Sequence, residues 1–170
     1  MAAFYLLRGD GDTGVGNSIG LPSGPYEIEV AIQDRMFDSK GQLVFPRVGI
    51  NPLEHPFWIP ELFGDVIVVN GKSWPYLNVE PRRYRFRLLN GSNARFYSMS
   101  TGPGGPPIWQ IGTDGGLLDE PVIFDENNRL VLGPGERADV IIDFAGYAGR
   151  KFLLDNNANS PYPNGDPVDQ

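Results

Sequence analysis

Gly64-Asp65-Val66-Ile67-Val68-Val69-Asn70-Gly71-Lys72-Ser73-Trp74-Pro75-Tyr76 runs, after two residues, into Val79-Glu80-Pro81-Arg82-Arg83-Tyr84-Arg85-Phe86-Arg87-Leu88-Leu89-Asn90. Asp65–Val69 is a compact β-branched run, the composition of a strand. Asn70-Gly71 closes it, and because both residues tolerate positive φ the pair predicts a type I′ hairpin turn. The return limb is expected to set Trp74 and Tyr76 against a core. Pro81 cannot donate to a ladder, so it marks the entry to the next strand and not its middle. Over Arg83–Leu89, Tyr84, Phe86 and Leu88 face one way while Arg83, Arg85 and Arg87 face the other, the period of a β-strand.

The same grammar extends in both directions. Over Tyr26–Asp34, Tyr26, Ile28, Val30 and Ile32 alternate with Glu27, Glu29, Ala31 and Gln33, which reads as a strand with one wet face. Asp38-Ser39-Lys40-Gly41 is a turn into Gln42–Phe45. Phe96–Ser100, Ile108–Gly112, Leu130–Leu132, Val140–Phe144 and Lys151–Leu154 are shorter strand candidates, with Asp125-Glu126-Asn127-Asn128 as a polar turn. Turn signals recur every ~8–15 residues and no window sustains a helical period, so the fold class is all-β, a Greek-key sandwich or barrel. Residues 1–25 read as a connector with a flexible stretch from Gly9 to Gly20, residues 26–155 as the domain, and residues 156–170 as a trailing loop.

With 170 residues the chain has the length of one ordinary domain and can bury roughly 70% of its unfolded surface. The 22 glycines and 16 prolines fit many turns between short strands. A formal net charge of −7 repels a phosphate backbone, which argues against nucleic acid as a partner. No apolar run approaches the roughly 20 residues of a membrane span. Ala2–Leu7 is too short for a signal-peptide core and follows no basic residue, so no leader is read and no compartment assigned. The absence of cysteine excludes disulfides, thiolate metal ligands and cysteine nucleophiles.

Several motifs look chemical and have simpler readings. Gly9-Asp10-Gly11-Asp12-Thr13-Gly14 has the spacing of a dinucleotide loop, yet Gly16, Gly20 and Pro22 follow where a helix would have to begin. The Asp-x-Asp rhythm of that stretch resembles a calcium loop, but the twelfth position is Leu21, leaving a solvated acidic loop or a weak non-EF site. His55, the single histidine, sits among Pro52, Pro56, Phe57 and Trp58; one imidazole without cysteine cannot build an ordinary transition-metal site, so loop packing or a domain contact is favoured. Asn90-Gly91-Ser92 is formally a glycosylation sequon, but turn chemistry explains it. Glu27 and Glu29 share a strand face, expected to be a hydrated surface and not a hydrolase pair.

The opening two stretches, with Leu132-Gly133-Pro134-Gly135-Glu136-Arg137-Ala138-Asp139-Val140, resemble the middle cupredoxin domain of three-domain multicopper oxidases, in the group of spore-coat laccases, bilirubin oxidases and phenoxazinone synthases. The resemblance covers nearly the whole chain. It implies a cupredoxin-like sandwich, and a copper-dependent parent that oxidises phenols, aromatic amines or metal ions while reducing dioxygen to water. Copper in that family is held by His-x-His pairs and a cysteine flanked by histidines, in the first and last domains; this sequence has neither pattern, so no copper is expected in this chain and none of its residues is expected to be catalytic. The middle domain would act as a spacer between its flanking partners and as part of the wall of the substrate pocket.

Carried over residue by residue, that wall falls on Pro60, Glu61 and Phe63, on Ala94, and on the loop Asn159-Ser160-Pro161. Relatives with a cysteine pair in this region would carry it near Phe63 and Ser160, and this sequence lacks both. Met1 to Arg8 resembles the segment leaving a preceding domain, and relatives continue beyond Asn156 into one more strand, so the sandwich is expected to lack its last strand. The rival reading is a stand-alone β-sandwich that binds partners or associates with itself through an exposed edge.

Overall fold

The computed structural model describes residues 3–49, 53–54 and 59–167. His55 and its neighbours Pro56, Phe57 and Trp58 lie outside the described residues. The described chain forms eleven strands and one 3-10 turn. β1 (Glu27–Phe37) is followed by β2 (Leu43–Val44), β3 (Val66–Val69), β4 (Lys72–Ser73), β5 (Arg83–Asn90) and β6 (Tyr97–Ser100). Then come β7 (Ile108–Thr113), β8 (Gly116–Phe124), β9 (Leu130–Leu132), β10 (Arg137–Asp143) and β11 (Asp155–Asn156).

The larger sheet runs β4-β3-β1-β5-β10-β7-β8, with β2 paired to β1, and the smaller runs β11-β6-β9. β1 and β5 are parallel, which requires a crossover; the other pairs are antiparallel. The alternation read in β5 holds. Tyr84, Phe86 and Leu88 stand opposite Ile142, Val140 and Ala138 of β10, and all six are buried against Tyr97, Met99, Leu130 and Leu132 of the smaller sheet. Two inner faces of apolar side chains thus meet as one core, the driving term of a sandwich.

The hairpin turn is as the sequence requires: Asn70 and Gly71 both take positive φ, 49° and 82°, the type I′ geometry. The Asn70 side chain reinforces it, accepting from the Ala31 N–H and donating to the Glu29 carbonyl. Trp74 and Tyr76 are not in the core, however; they are 65% and 88% exposed. The ladder after the turn lasts only two residues, and Trp74 itself adopts φ 38°, turning the chain outward.

Two further differences have local causes. Lys151–Leu154 forms no strand; the ladder onto β6 falls instead at Asp155–Asn156, where the Asn156 Oδ1 accepts from the Ser98 N–H and Arg129 holds the Asp155 carboxylate. Gly116–Phe124 is a nine-residue strand with no clean alternation, because it lies at the sheet edge with most side chains exposed. Its Asp119-Glu120-Pro121 interrupts pairing with β7, and a charged, proline-bearing edge resists strand addition.

Gly64 fixes how the chain enters β3. Its N–H donates to the Asp34 carboxylate at 2.6 Å, and a Cβ there would lie 2.4 Å from the Arg35 backbone nitrogen. Gly64→Ala should therefore destabilise the fold by about 1–3 kcal/mol, as overpacking does. Urea unfolding measures this directly, and an unchanged midpoint would contradict the packing described.

Candidate functional site

The outward face of the larger sheet is covered over part of its centre. Glu27 lies opposite Arg85 in the β1–β5 ladder and Asp139 opposite Arg87 in the β5–β10 ladder, so the pleat collects these charges on one face. Residues 8–12 cover it. Arg85, with only 1% of its side chain exposed, donates through Nη1 and Nη2 to the two oxygens of Asp12 at 2.9 Å each, and through Nε to Asp139 at 2.8 Å. Arg87 donates to Glu27 at 2.7 Å and reaches Asp12 and Asp139 at 3.2 Å. Arg8 grips both oxygens of Glu27, at 2.9 and 2.8 Å. Three guanidinium groups thus face three carboxylates.

Burying a lone charge is prohibitive, whereas a saturated, hydrogen-bonded cluster is tolerated. Within residues 9–20, Asp12 bonds onto the sheet, and Asn17 bonds the Gly14 and Leu21 carbonyls and the Leu21 N–H. Both Asp12 oxygens are engaged by arginine, which removes the donor that a calcium loop would need. Glu27, expected to be hydrated, keeps 4% of its side chain exposed. Burial alone would raise its carboxyl, but hydrogen bonds from Arg8 and then Arg87 outweigh that and hold it below the usual range. Arg85 is hydrogen-bonded by Asp139 and Asp12, and these outweigh the lowering that its burial alone would cause.

A second arginine gathers part of the predicted pocket wall. Arg95 donates to the Asp34 carboxylate at 3.1 Å, to the Ser160 hydroxyl at 3.0 Å and to the Gly64 carbonyl at 2.8 Å, with its guanidinium carbon 5.6 Å from the centre of the Phe63 ring. Phe63 and Ser160 therefore meet at Arg95, and half-buried Ala94 precedes it in the chain. Pro60, Glu61 and Pro161 are exposed at the margins. Asn159 is half-buried and donates to the Pro163 carbonyl within its own loop. Phe96 stacks on Tyr162 with ring centres 4.7 Å apart, closing the loop over the strand ends. The sequence reading missed Arg95, although one signal was available: position 34 falls on the inward face of β1, so a buried Asp34 demands a cationic partner.

The sequon is structural. Asn90 is fully buried, and its amide donates to the Arg95 and Leu132 carbonyls. The donor set also fails to fit a copper ion: the chain has no cysteine and one histidine, and among the described residues no group of three or more potential ligands converges.

This two-sheet, all-β sandwich is a cupredoxin-type domain. No family model matches the chain. Multicopper oxidase LPR1 of Arabidopsis thaliana is 42% identical over 167 residues, covering 98% of this chain and 28% of that protein. A laccase of Bacillus subtilis is 47% identical over 141 residues, covering 81% of this chain and 27% of that protein. Among solved structures, the McoA multicopper oxidase of the hyperthermophile Aquifex aeolicus is 35% identical, with a TM-score of 0.64 over 88% of this chain and 30% of that one. The homologues of this chain are therefore multicopper oxidases and laccases, and it spans less than a third of the length of these relatives.

The ionic latch makes a prediction about acid. Hydrogen bonds from Arg85, with the added charges of Arg87 and Arg8, lower the Asp12 carboxyl from 3.8 to about 2. The folded state thus binds that proton more weakly than the unfolded one, and the stabilisation is complete above the unfolded value and lost as pH falls towards the folded one. Asp12→Asn should lower stability at neutral pH and flatten its fall between about pH 4 and about pH 2. Parallel stability curves for the two proteins would show that the latch is not formed.

Proposed function

We propose that this chain is the middle cupredoxin domain of a three-domain, laccase-like copper oxidoreductase, serving as a spacer and as part of the substrate-pocket wall. The observation that supports it is a conjunction: similarity to one stretch of multicopper oxidases over nearly the whole chain, which itself lacks the cysteine and paired histidines that copper sites in this family use. Copper would be held by the flanking domains, where it would supply the one-electron oxidation of phenols, aromatic amines or metal ions and the reduction of dioxygen to water.

The residues of this chain would act by position. Phe63 would offer an apolar ring to an aromatic substrate, and Arg95, packed beside that ring, would hold it and the Asn159-Ser160-Pro161 loop at a fixed separation. Pro60 and Glu61 would form the exposed lip, with Ala94 as the small residue that leaves room behind it.

Two experiments test this reading. The isolated chain dialysed against copper should retain no stoichiometric, tightly held ion, and a copper ion retained one per chain would overturn it. In the full-length enzyme, Phe63→Ala should raise KM for aromatic substrates by about tenfold, the scale of lost apolar contact in a pocket, with a smaller change in kcat. An unchanged KM would remove Phe63 from the wall.

A further inference from the structure

We propose that Trp74, Tyr76 and Leu77, beyond the outer strand β4, form the seat on which another domain of the same polypeptide rests. The proposal builds on the spacer reading and names one of the faces through which it would act. These side chains are 65%, 88% and 55% exposed, in an unbroken exposed run from Trp74 to Asn78 that includes Pro75. Tryptophan and tyrosine are the side chains most enriched at interface centres, since each covers much area with few rotatable bonds.

The backbone supplies an independent observation. Trp74 takes φ 38°, and the other described non-glycine residue at positive φ is Asn70, a type that tolerates it. For an aromatic residue this conformation is strained, and strain of this kind persists where the surroundings impose it, commonly at functional positions. The Trp74 N–H donates to the Ile67 carbonyl at 3.0 Å, which ties this residue to β3. The chain thus spends strain energy to aim an indole at solvent.

The occupant follows from size. A patch of three or four side chains falls short of the roughly 1,000 Å² that an independent protein partner needs. A tethered domain works at high effective concentration and can use a smaller contact. The relatives carry more than two thirds of their length outside the matched stretch, which is where such a domain would lie. Addition of a second copy along the other edge, β8, is opposed by Asp119-Glu120-Pro121.

Hydroxyl-radical footprinting with mass spectrometry, read at Trp74 and Tyr76, tests this in the isolated chain and in the full-length polypeptide. Oxidation should be fast and independent of concentration in the isolated chain, and about tenfold slower in the full-length protein, as expected for entry into an interface core. Equal rates in a folded full-length protein that does carry flanking domains would overturn the seat and leave the spacer reading standing. A full-length protein with no flanking domains would overturn both. Protection that grows with concentration of the isolated chain would make a second copy the occupant and would also overturn the seat. Trp74→Gly, which suits positive φ, should leave the melting temperature of the isolated chain unchanged or higher while speeding proteolysis between domains of the full-length protein. Unchanged proteolysis would count against the seat.

Discussion

The guanidinium of Arg85 is the constraint around which the domain is arranged. It sits in the middle of the larger sheet with almost no access to water, and a buried cation persists only where anions saturate it. Asp139 comes from the neighbouring strand β10, Glu27 from the parallel strand β1, and Asp12 from a segment with no strand of its own. Satisfying one side chain therefore fixes the β5–β10 and β1–β5 registers and lays residues 8–12 across a sheet face that would otherwise be solvated. Removing Arg85 would leave three carboxylates sharing only the two guanidinium groups of Arg8 and Arg87.

Arg95 repeats the device at the ends of the strands. It reads Asp34 on β1, the Gly64 carbonyl before β3 and Ser160 in the trailing loop, so three chain segments distant in sequence share one cation. One arginine anchors the N-terminal segment and the other the loop beyond β11. A domain whose proposed work is to hold neighbours apart needs the directions of both arms to be fixed. Charge-assisted hydrogen bonds impose direction, which apolar packing alone does not.

Much of this architecture was legible because it is local. Tyr84, Phe86 and Leu88 announce an inward face by alternation, and Asn70-Gly71 announces its turn by backbone chemistry that few other residues share. The strand at Gly116–Phe124 was not legible, since an edge strand needs no apolar face and its Asp119-Glu120-Pro121 imitates a loop. Lys151–Leu154 looked like a strand through its apolar character, yet the ladder went to Asp155 and Asn156, where side-chain hydrogen bonds decided it. The strand period correctly put Arg85 and Glu27 on the face away from the core, but the cover over that face comes from residue 12, a contact 73 positions away in sequence that no periodicity encodes. For the candidate wall, the resemblance supplied Phe63 and Ser160, while Arg95, which joins them, became visible only with the fold.

The account stands or falls on where the copper ligands are encoded. Sequencing the gene on both sides of this segment is the most direct measurement. The account predicts one continuous reading frame with His-x-His pairs upstream and a histidine-flanked cysteine downstream. A frame closed on both sides without those motifs would contradict it and leave a sandwich domain that acts alone.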